Sequence, residues 1–522
     1  MIKFEKVSFA YPGSPDILKD INLTISEGER IALVGGNGSG KTTLALMING
    51  ILKAESGRVT VAGLDPSIPG DSLKLKQKVG LVFQNPDNQL VSTTVETEVA
   101  FSLENANIDP ATMHHQVESI LDFFNLLKSK AKLTSNLSGG EKQKLALVAV
   151  MIAEPDILIL DEPGSYLDET GKKLLDQAIE QLIDKKPNLT VIRITQYALI
   201  AAQYPRIVVC HEGSIIADGP PEEIFRMNPK NIGIAVPIDY QLLNGIKIKS
   251  DRDNSISGNK ATSQTIKSIK AVSISFGYHN GQNSLIFKNQ NLELTNDKIY
   301  GLVGLSGTGK TTLLQLLANL LKLQSGNIER YNFNHNDLVS VVFQQPERQF
   351  FKETVDEEIR FGPENLRLNN IDQIVANSYQ QVGLDRDKYA HRNSFTLSGG
   401  EKRRLAFASI ISLNPAFVFF DEPTCALDND GIIKFSQMIK ALNSEGLGVV
   451  IVSHFGEIIF ELSDEIILID KGTINRPITK KEFFLNHKYD HFLSVPEVVS
   501  YQLDKFGEMR YFSKDDLLMS VD

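Results

Sequence analysis

Cysteine is scarce: the chain of 522 residues has two, Cys210 and Cys425. Two thiols cannot build a disulfide framework, and so few fit a reducing compartment. Long apolar runs are missing too. The longest clean one, Leu145 to Ala153, falls far short of the ~18–20 residues that a bilayer-spanning helix needs. The first residues, MIKFEKVSFAYPG, lack a basic stretch followed by an apolar one, so no secretory signal is expected. Nor is there an excess of positive charge. Lys and Arg number 54 against 64 Asp and Glu, a formal net charge of −10, which argues against a partner held by its nucleic-acid phosphates. With 42% hydrophobic and 23% charged residues, collagen-like, disordered and multi-span membrane classes are disfavoured. The chain reads as cytosolic, and its length suggests three or four domains, or two large ones.

What is present is written twice. LSGGEK occurs at Leu137–Lys142 and at Leu397–Lys402, and DEP at Asp161–Pro163 and Asp421–Pro423, both 260 residues apart. Phe83–Pro86 and Phe343–Pro346 keep that spacing, and GKTTL recurs at Gly40–Leu44 and Gly309–Leu313. Val236-Pro237 and Val495-Pro496 mark matching tails. One unit has been duplicated and fused. Between the copies, Lys249 to Ser268 is polar and reads as a flexible linker, spanning roughly 25 Å as a coil. The expected division is 1–247, a linker over 248–268, and 269–522.

Each copy has an α/β pattern. Ile31–Val34 and Ile299–Val303 are short apolar runs that end in glycine and lead into helical stretches. Ile157–Leu160 and Phe417–Phe420 are unbroken apolar runs, as central strands of a buried parallel sheet require, and Val191–Thr195 and Val449–Ser453 look alike.

Both glycine-ended strands lead into G-x-x-x-x-G-K-[ST]. In the first copy the segment is Gly35, Gly36, Asn37, Gly38, Ser39, Gly40, Lys41, Thr42 and Thr43. In the second it is Gly304, Leu305, Ser306, Gly307, Thr308, Gly309, Lys310, Thr311 and Thr312. Glycines let successive backbone N–H groups turn inward around phosphate, and the following helix adds its positive end. Lys41 and Lys310 would reach the β/γ-phosphates of ATP, and Thr42 and Thr311 would ligate Mg²⁺. The carboxylates of ILILDEP and FVFFDEP follow buried strands. Asp161 and Asp421 are placed to organise Mg²⁺, and Glu162 and Glu422 to orient or deprotonate an attacking water.

The LSGGE segments each precede a helical pattern, with Ser138 and Ser398 at N-cap positions and Gly140 and Gly400 allowing close approach to an anion. They resemble the signature motif of ATP-binding cassette (ABC) ATPases, and both halves carry the full resemblance. It implies two tandem P-loop NTPase domains, each a mainly parallel core sheet with an antiparallel β subdomain and a helical subdomain. It also implies head-to-tail pairing within the one chain, with ATP between the phosphate loop of one cassette and the signature of the other. Tyr11 and Tyr278 resemble the adenine-stacking aromatic. Gln84 and Gln344 resemble the Q-loop glutamine that touches Mg²⁺, and Asp168 and Asp428 the D-loop aspartate. The family's γ-phosphate histidine is His454 in the second half, but the first half reads Gln196 there. Glutamine can hydrogen-bond phosphate but cannot carry charge or shuttle a proton. Either the substitution is tolerated with little effect, or the Lys41–Glu162–Gln196 site is the slower one and the Lys310–Glu422–His454 site the principal motor; with both glutamates intact, neither site is expected to be dead.

Around the Q-loops, VFQNPDNQLVSTTVETEVAFSLEN and VFQQPERQFFKETVDEEIRFGPEN resemble the cobalt/nickel and energy-coupling-factor (ECF) group. That resemblance implies an importer of a vitamin or transition-metal ion. Its ATPases bind a transmembrane T component at the cytoplasmic face of the membrane, and a separate S component captures substrate. No nucleic acid is expected. The rival is a soluble tandem ABC protein acting on the ribosome, which would carry a long charged arm between its cassettes and a basic surface. A DNA-repair ABC ATPase would need coiled-coil or zinc insertions. Asp356-Glu357-Glu358 reads as a solvated helix face, and His114-His115 and the two cysteines as surface or packing residues.

Overall fold

The computed structural model describes residues 1–13, 15–105, 108–227, 232–248, 265–278, 285–425, 427–511 and 514–518. The chain divides into two units, Met1–Gly245 and Ile246–Asp522. Most of the expected linker, 249–264, lies outside the described residues.

Among the described residues the first unit has nine strands: β1 (Ile2–Ala10), β2 (Asp16–Ile25), β3 (Arg30–Val34), β4 (Ser56–Val61), β5 (Val79–Val82), β6 (Ile157–Asp161), β7 (Thr190–Ile194), β8 (Arg206–His211) and β9 (Ser214–Gly219). β2-β1-β4 form an antiparallel sheet. The larger sheet runs β5-β6-β7-β3-β8-β9, parallel except for the β9 edge. Every residue of β6 and β7 is buried, which is why these strands read as unbroken apolar runs instead of alternating ones. Glu169–Lys185 covers the core with one face, whereas Gly139–Met151 is buried on every side from Leu145 to Ala149. In Glu169–Lys185 the buried residues include Leu175, Ile179, Leu182 and Ile183, a spacing of three and four that lays one stripe on the core. Each such side chain contributes about 1.5–3 kcal/mol when fully buried.

The second unit repeats this plan with β10 (Ser268–Phe276), β11 (Phe287–Thr295), β12 (Ile299–Val303), β13 (Ser325–Tyr331), β14 (Val339–Val342), β15 (Phe417–Asp421), β16 (Gly448–Val452), β17 (Glu465–Asp470), β18 (Thr473–Ile474) and β19 (Ile478–Thr479). β11-β10-β13 are antiparallel, and β14-β15-β16-β12-β17 are parallel, with β18 and β19 antiparallel to β17. β7 and β16 each begin and end one residue before the apolar runs suggested. Thr195 and Ser453 already belong to turns, their hydroxyls accepting from the N–H of Tyr197 (3.1 Å) and of Phe455 (3.1 Å).

In parallel strands all C-terminal ends lie on one edge, where open α/β sheets place their ligands. Register brings Leu33 and Asp161 each opposite Ile194, and Leu302 and Asp421 each opposite Val452. The phosphate loop, the acidic pair and the Gln196 or His454 turn of each unit therefore leave three adjacent strand ends. The tails contain the helices Ile238–Leu243 and Glu497–Phe506, each following the proline of its Val-Pro pair, and the second tail adds a short helix, Lys514–Leu517. Among the described residues no helix is long and apolar enough to cross a membrane.

Candidate functional site

Both phosphate loops lie between a buried strand and a helix whose first residue is the lysine. Gly40 and Gly309 hold φ near 99° and 100°, the left-handed region, and a Cβ there would come within 2.5 Å of Leu18 Cδ2 and 2.7 Å of Ile286 Cγ2. At Gly35 a Cβ would lie 2.0 Å from the Cys210 carbonyl oxygen, so the loop passes against β8 where only glycine fits. Lys41 Nζ donates to the carbonyls of Gly35 and Gly36, both at 2.8 Å, and to Ser39 Oγ at 3.2 Å. Lys310 Nζ does the same toward Gly304 (2.7 Å) and Leu305 (3.0 Å). Each lysine is buried, and its ammonium is held at the mouth of its loop by carbonyl oxygens.

The next hydroxyls point at the acidic strand ends. Thr42 Oγ1 donates to Asp161 Oδ2 at 2.7 Å, and Thr311 Oγ1 to Asp421 Oδ2 at 2.5 Å. Burial pushes both aspartates above the ordinary carboxylate range, while the threonine bond and the neighbouring lysine oppose that shift. Glu162 and Glu422 follow with φ of 46° and 51°, unusual for residues carrying a Cβ and costing about 1–2 kcal/mol. Their N–H groups donate to the carbonyls of Ile194 (3.1 Å) and Val452 (3.0 Å), which anchors each glutamate to the neighbouring strand end.

The two glutamates are held differently. Glu162 accepts from Gln84 Nε2 on Oε2 (2.8 Å) and from Gln196 Nε2 on Oε1 (2.5 Å), and Gln196 Nε2 also reaches Asn37 Oδ1 (3.1 Å). Burial, and then the charge of Asp161, push Glu162 up to about 7. Glu422 instead has His454 Nε2 at 3.4 Å from Oε1, the His454 N–H on Oε2 at 3.3 Å, and the Arg403 guanidinium on its backbone carbonyl at 2.5 Å.

The other expected residues fall into place as follows. Tyr11 and Tyr278 are part-exposed and pack edge-on against Phe9 and Phe276, with ring centroids 4.9 and 5.1 Å apart. Tyr278 OH is also 3.2 Å from Thr312 Oγ1. Ser138 and Ser398 cap the helices Gly139–Met151 and Gly399–Ile411 in capping boxes with Glu141 and Glu401. Asp168 and Asp428 cap the helices Glu169–Lys185 and Asn429–Ser444 by accepting from Gly171 N and Gly431 N.

Asp356-Glu357-Glu358 is a solvated face only at Glu357. Glu358 is 3% exposed, and its Oε2 accepts from the N–H groups of Phe351 (2.8 Å) and Lys352 (2.7 Å). Asp356 pairs with Arg360 and Arg386, and Glu357 completes a capping box with Thr354. Glu98 makes the matching bonds to Val91 (3.0 Å) and Ser92 (2.6 Å). The loops so held expose Val91 (73%) and Phe351 (71%) just after the Q-loops. Arg403, which the sequence reading passed over, was visible there as the charged counterpart of Gln143, five residues after the signature serines.

A buried phosphate loop facing paired strand-end carboxylates, in two copies, defines a class: a P-loop nucleotide-binding protein with two cassettes. The ABC transporter family model matches residues 18–165 and 287–425. The chain belongs to the ABC transporter family, and it is an ABC ATPase with tandem ATP-binding cassettes. It is 30% identical to a protein of Methanosarcina mazei provisionally named ABC transporter ATP-binding protein, over 93% of this chain and 90% of that one. It is likewise 30% identical to a Bacillus subtilis protein provisionally named HMP/thiamine import ATP-binding protein YkoD, over 90% of each. Among solved structures, the archaeal ribosome recycling factor aABCE1, in complex with the ribosomal stalk protein aP1, is similar over 91% of this chain and 90% of its own (TM-score 0.60). At 19% identity that likeness concerns the fold.

Proposed function

We propose that the chain is the energy-coupling ATPase of an ECF-type importer of a vitamin or transition-metal ion, bound at the cytoplasmic face of the membrane to a transmembrane T-type protein and a substrate-binding S-type protein. One observation carries this reading: on each cassette, the backbone after the Q-loop is held by a buried glutamate while a large apolar side chain, Val91 or Phe351, is held out to solvent. Leu133 and Phe395, also exposed, precede the signatures, and the bridges Thr94–Leu133 and Thr354–Asn393 join the two segments of each cassette. An apolar patch beside the Q-loop suits an amphipathic helix of a membrane partner. The HMP/thiamine import named for YkoD favours a vitamin-related cargo.

ATP would bind at two sites, each made of one cassette's phosphate loop and the other's signature serine and glycine (Ser398 and Gly400, or Ser138 and Gly140). Tyr11 and Tyr278 would stack on adenine, at about 1–3 kcal/mol each. Lys41 and Lys310 would bind the β/γ-phosphates. An oxygen set of one hydroxyl, one carboxylate and one amide fits Mg²⁺, which takes few protein ligands beside phosphate. Thr42, Asp161 and Gln84, or Thr311, Asp421 and Gln344, would hold it, and the bound ion would neutralise phosphate charge. Glu162 and Glu422 would orient and deprotonate the attacking water, and Gln196 and His454 would contact the γ-phosphate. In the first cassette two amides occupy the carboxylate; in the second an imidazole stands beside it. The second cassette is accordingly the faster.

The whole-chain likeness to aABCE1 raises the ribosome as the alternative partner, but a net charge of −10 suits RNA poorly. Purification of the tagged full chain from detergent-solubilised membranes separates the two. The expected result is stoichiometric recovery of polytopic membrane proteins, lost in a Val91→Glu/Phe351→Glu double variant that still binds ATP. Sedimentation with ribosomes and no membrane partner would overturn the reading.

A further inference from the structure

The two cassettes connect Q-loop to catalytic glutamate by different bonds. In the first the link is a side chain: Gln84 Nε2 on the Glu162 carboxylate, 2.8 Å. In the second, one buried cation spans both backbones. Arg403 is 4% exposed and lies in the helix Gly399–Ile411, whose cap is the signature serine. One guanidinium nitrogen donates to the Glu422 carbonyl (2.5 Å) and the other to the Gln344 carbonyl (3.2 Å). Its fork geometry suits two carbonyls in one plane, and a charged donor strengthens both bonds. The Glu422 carbonyl so held belongs to a residue with left-handed backbone, a sparsely populated conformation that persists only where its surroundings fix it. At the same place in the first cassette Gln143 is fully buried, and neither its amide nitrogen nor its amide oxygen has a hydrogen-bond partner among the described residues.

We infer that Arg403 is a positioning residue of the second cassette: it locks the Glu422 backbone to the Q-loop carbonyl of Gln344 and so sets where the catalytic carboxylate stands. The inference rests on the reading of Glu422 as the base. A Q-loop displaced by the membrane partner would pull on Arg403 and carry Glu422 with it. The first cassette has only the softer amide link for the same task.

The test uses the full-length chain in a Glu162→Gln background, where steady-state turnover reports the Glu422 site. Arg403→Gln should lower kcat about ten- to a hundredfold, as a misplacement of about 1 Å does, while KM for ATP stays within about twofold. Arg403→Lys keeps the charge but not the fork, and should recover part of the lost kcat; it also carries the test should Arg403→Gln fail to fold. Unchanged kcat in either variant would overturn the inference, as would a kcat loss with an equal rise in KM. Glu422→Gln in the same background separates the layers. Turnover that survives it overturns the base assignment and the inference with it. Turnover lost there but kept in Arg403→Gln overturns the inference alone.

Discussion

Glu162 and Glu422 sit at equivalent strand ends, with the same left-handed backbone and the same bond to the neighbouring strand, yet their surroundings differ in charge. The side chains that hydrogen-bond the Glu162 carboxylate are neutral: Gln84, Gln196 and Ser165. Around Glu422 stand His454, beside the carboxylate, and Arg403, on the backbone carbonyl. The two cassettes share the scaffold and differ in what surrounds the glutamate. The buried strands fix where the carboxylate is, and on the proposed reading a few polar side chains around it set the difference in rate.

That comparison can be broken or sharpened by substitution. The largest effect is expected from Lys41→Ala with Lys310→Ala, which should abolish ATP binding by the whole chain; retained tight binding of a fluorescent ATP analogue would discredit both phosphate loops. Next, His454→Gln makes the second cassette resemble the first and should cost about tenfold in turnover in a Glu162→Gln background, the scale of replacing a charge-assisted hydrogen bond to phosphate by a neutral one. An unaltered rate would mean that the imidazole is not what separates the sites. The reverse change, Gln196→His, should raise turnover of the first site severalfold when measured in a Glu422→Gln background.

Smaller effects concern stability. Glu358→Ala would leave the N–H groups of Phe351 and Lys352 without their acceptor, at about 1–3 kcal/mol each, and thermal unfolding should show it. Smallest of all, Gln143→Met replaces a buried amide lacking partners by an isosteric apolar group and should raise the melting temperature by a few degrees. Arg403→Met should lower it, since two carbonyls lose their donor. Opposite signs at equivalent positions are the point of that pair; equal signs would erase the distinction.

Much of this was legible in the sequence because it is local. A glycine-ended apolar run before G-x-x-x-x-G-K-T, or a serine three residues before a glutamate at a helix start, needs no tertiary information to read. The burial of Glu358 was not legible. Three consecutive acids look solvated, and the two N–H groups that hold the third come from a loop whose path the pattern does not specify. What Arg403 does was hidden for a related reason: its partners are backbone carbonyls, which every residue offers. The histidine-to-glutamine difference was visible, but not that Gln196 bonds Glu162, a contact made only when β6 and β7 pair.

ATP turnover by the full chain, measured in Glu162→Gln and in Glu422→Gln separately, tests most directly whether the two sites are unequal. Unequal sites predict that Glu422→Gln removes most of the turnover while Glu162→Gln leaves most of it. The reverse ranking, or equal losses, would contradict the account.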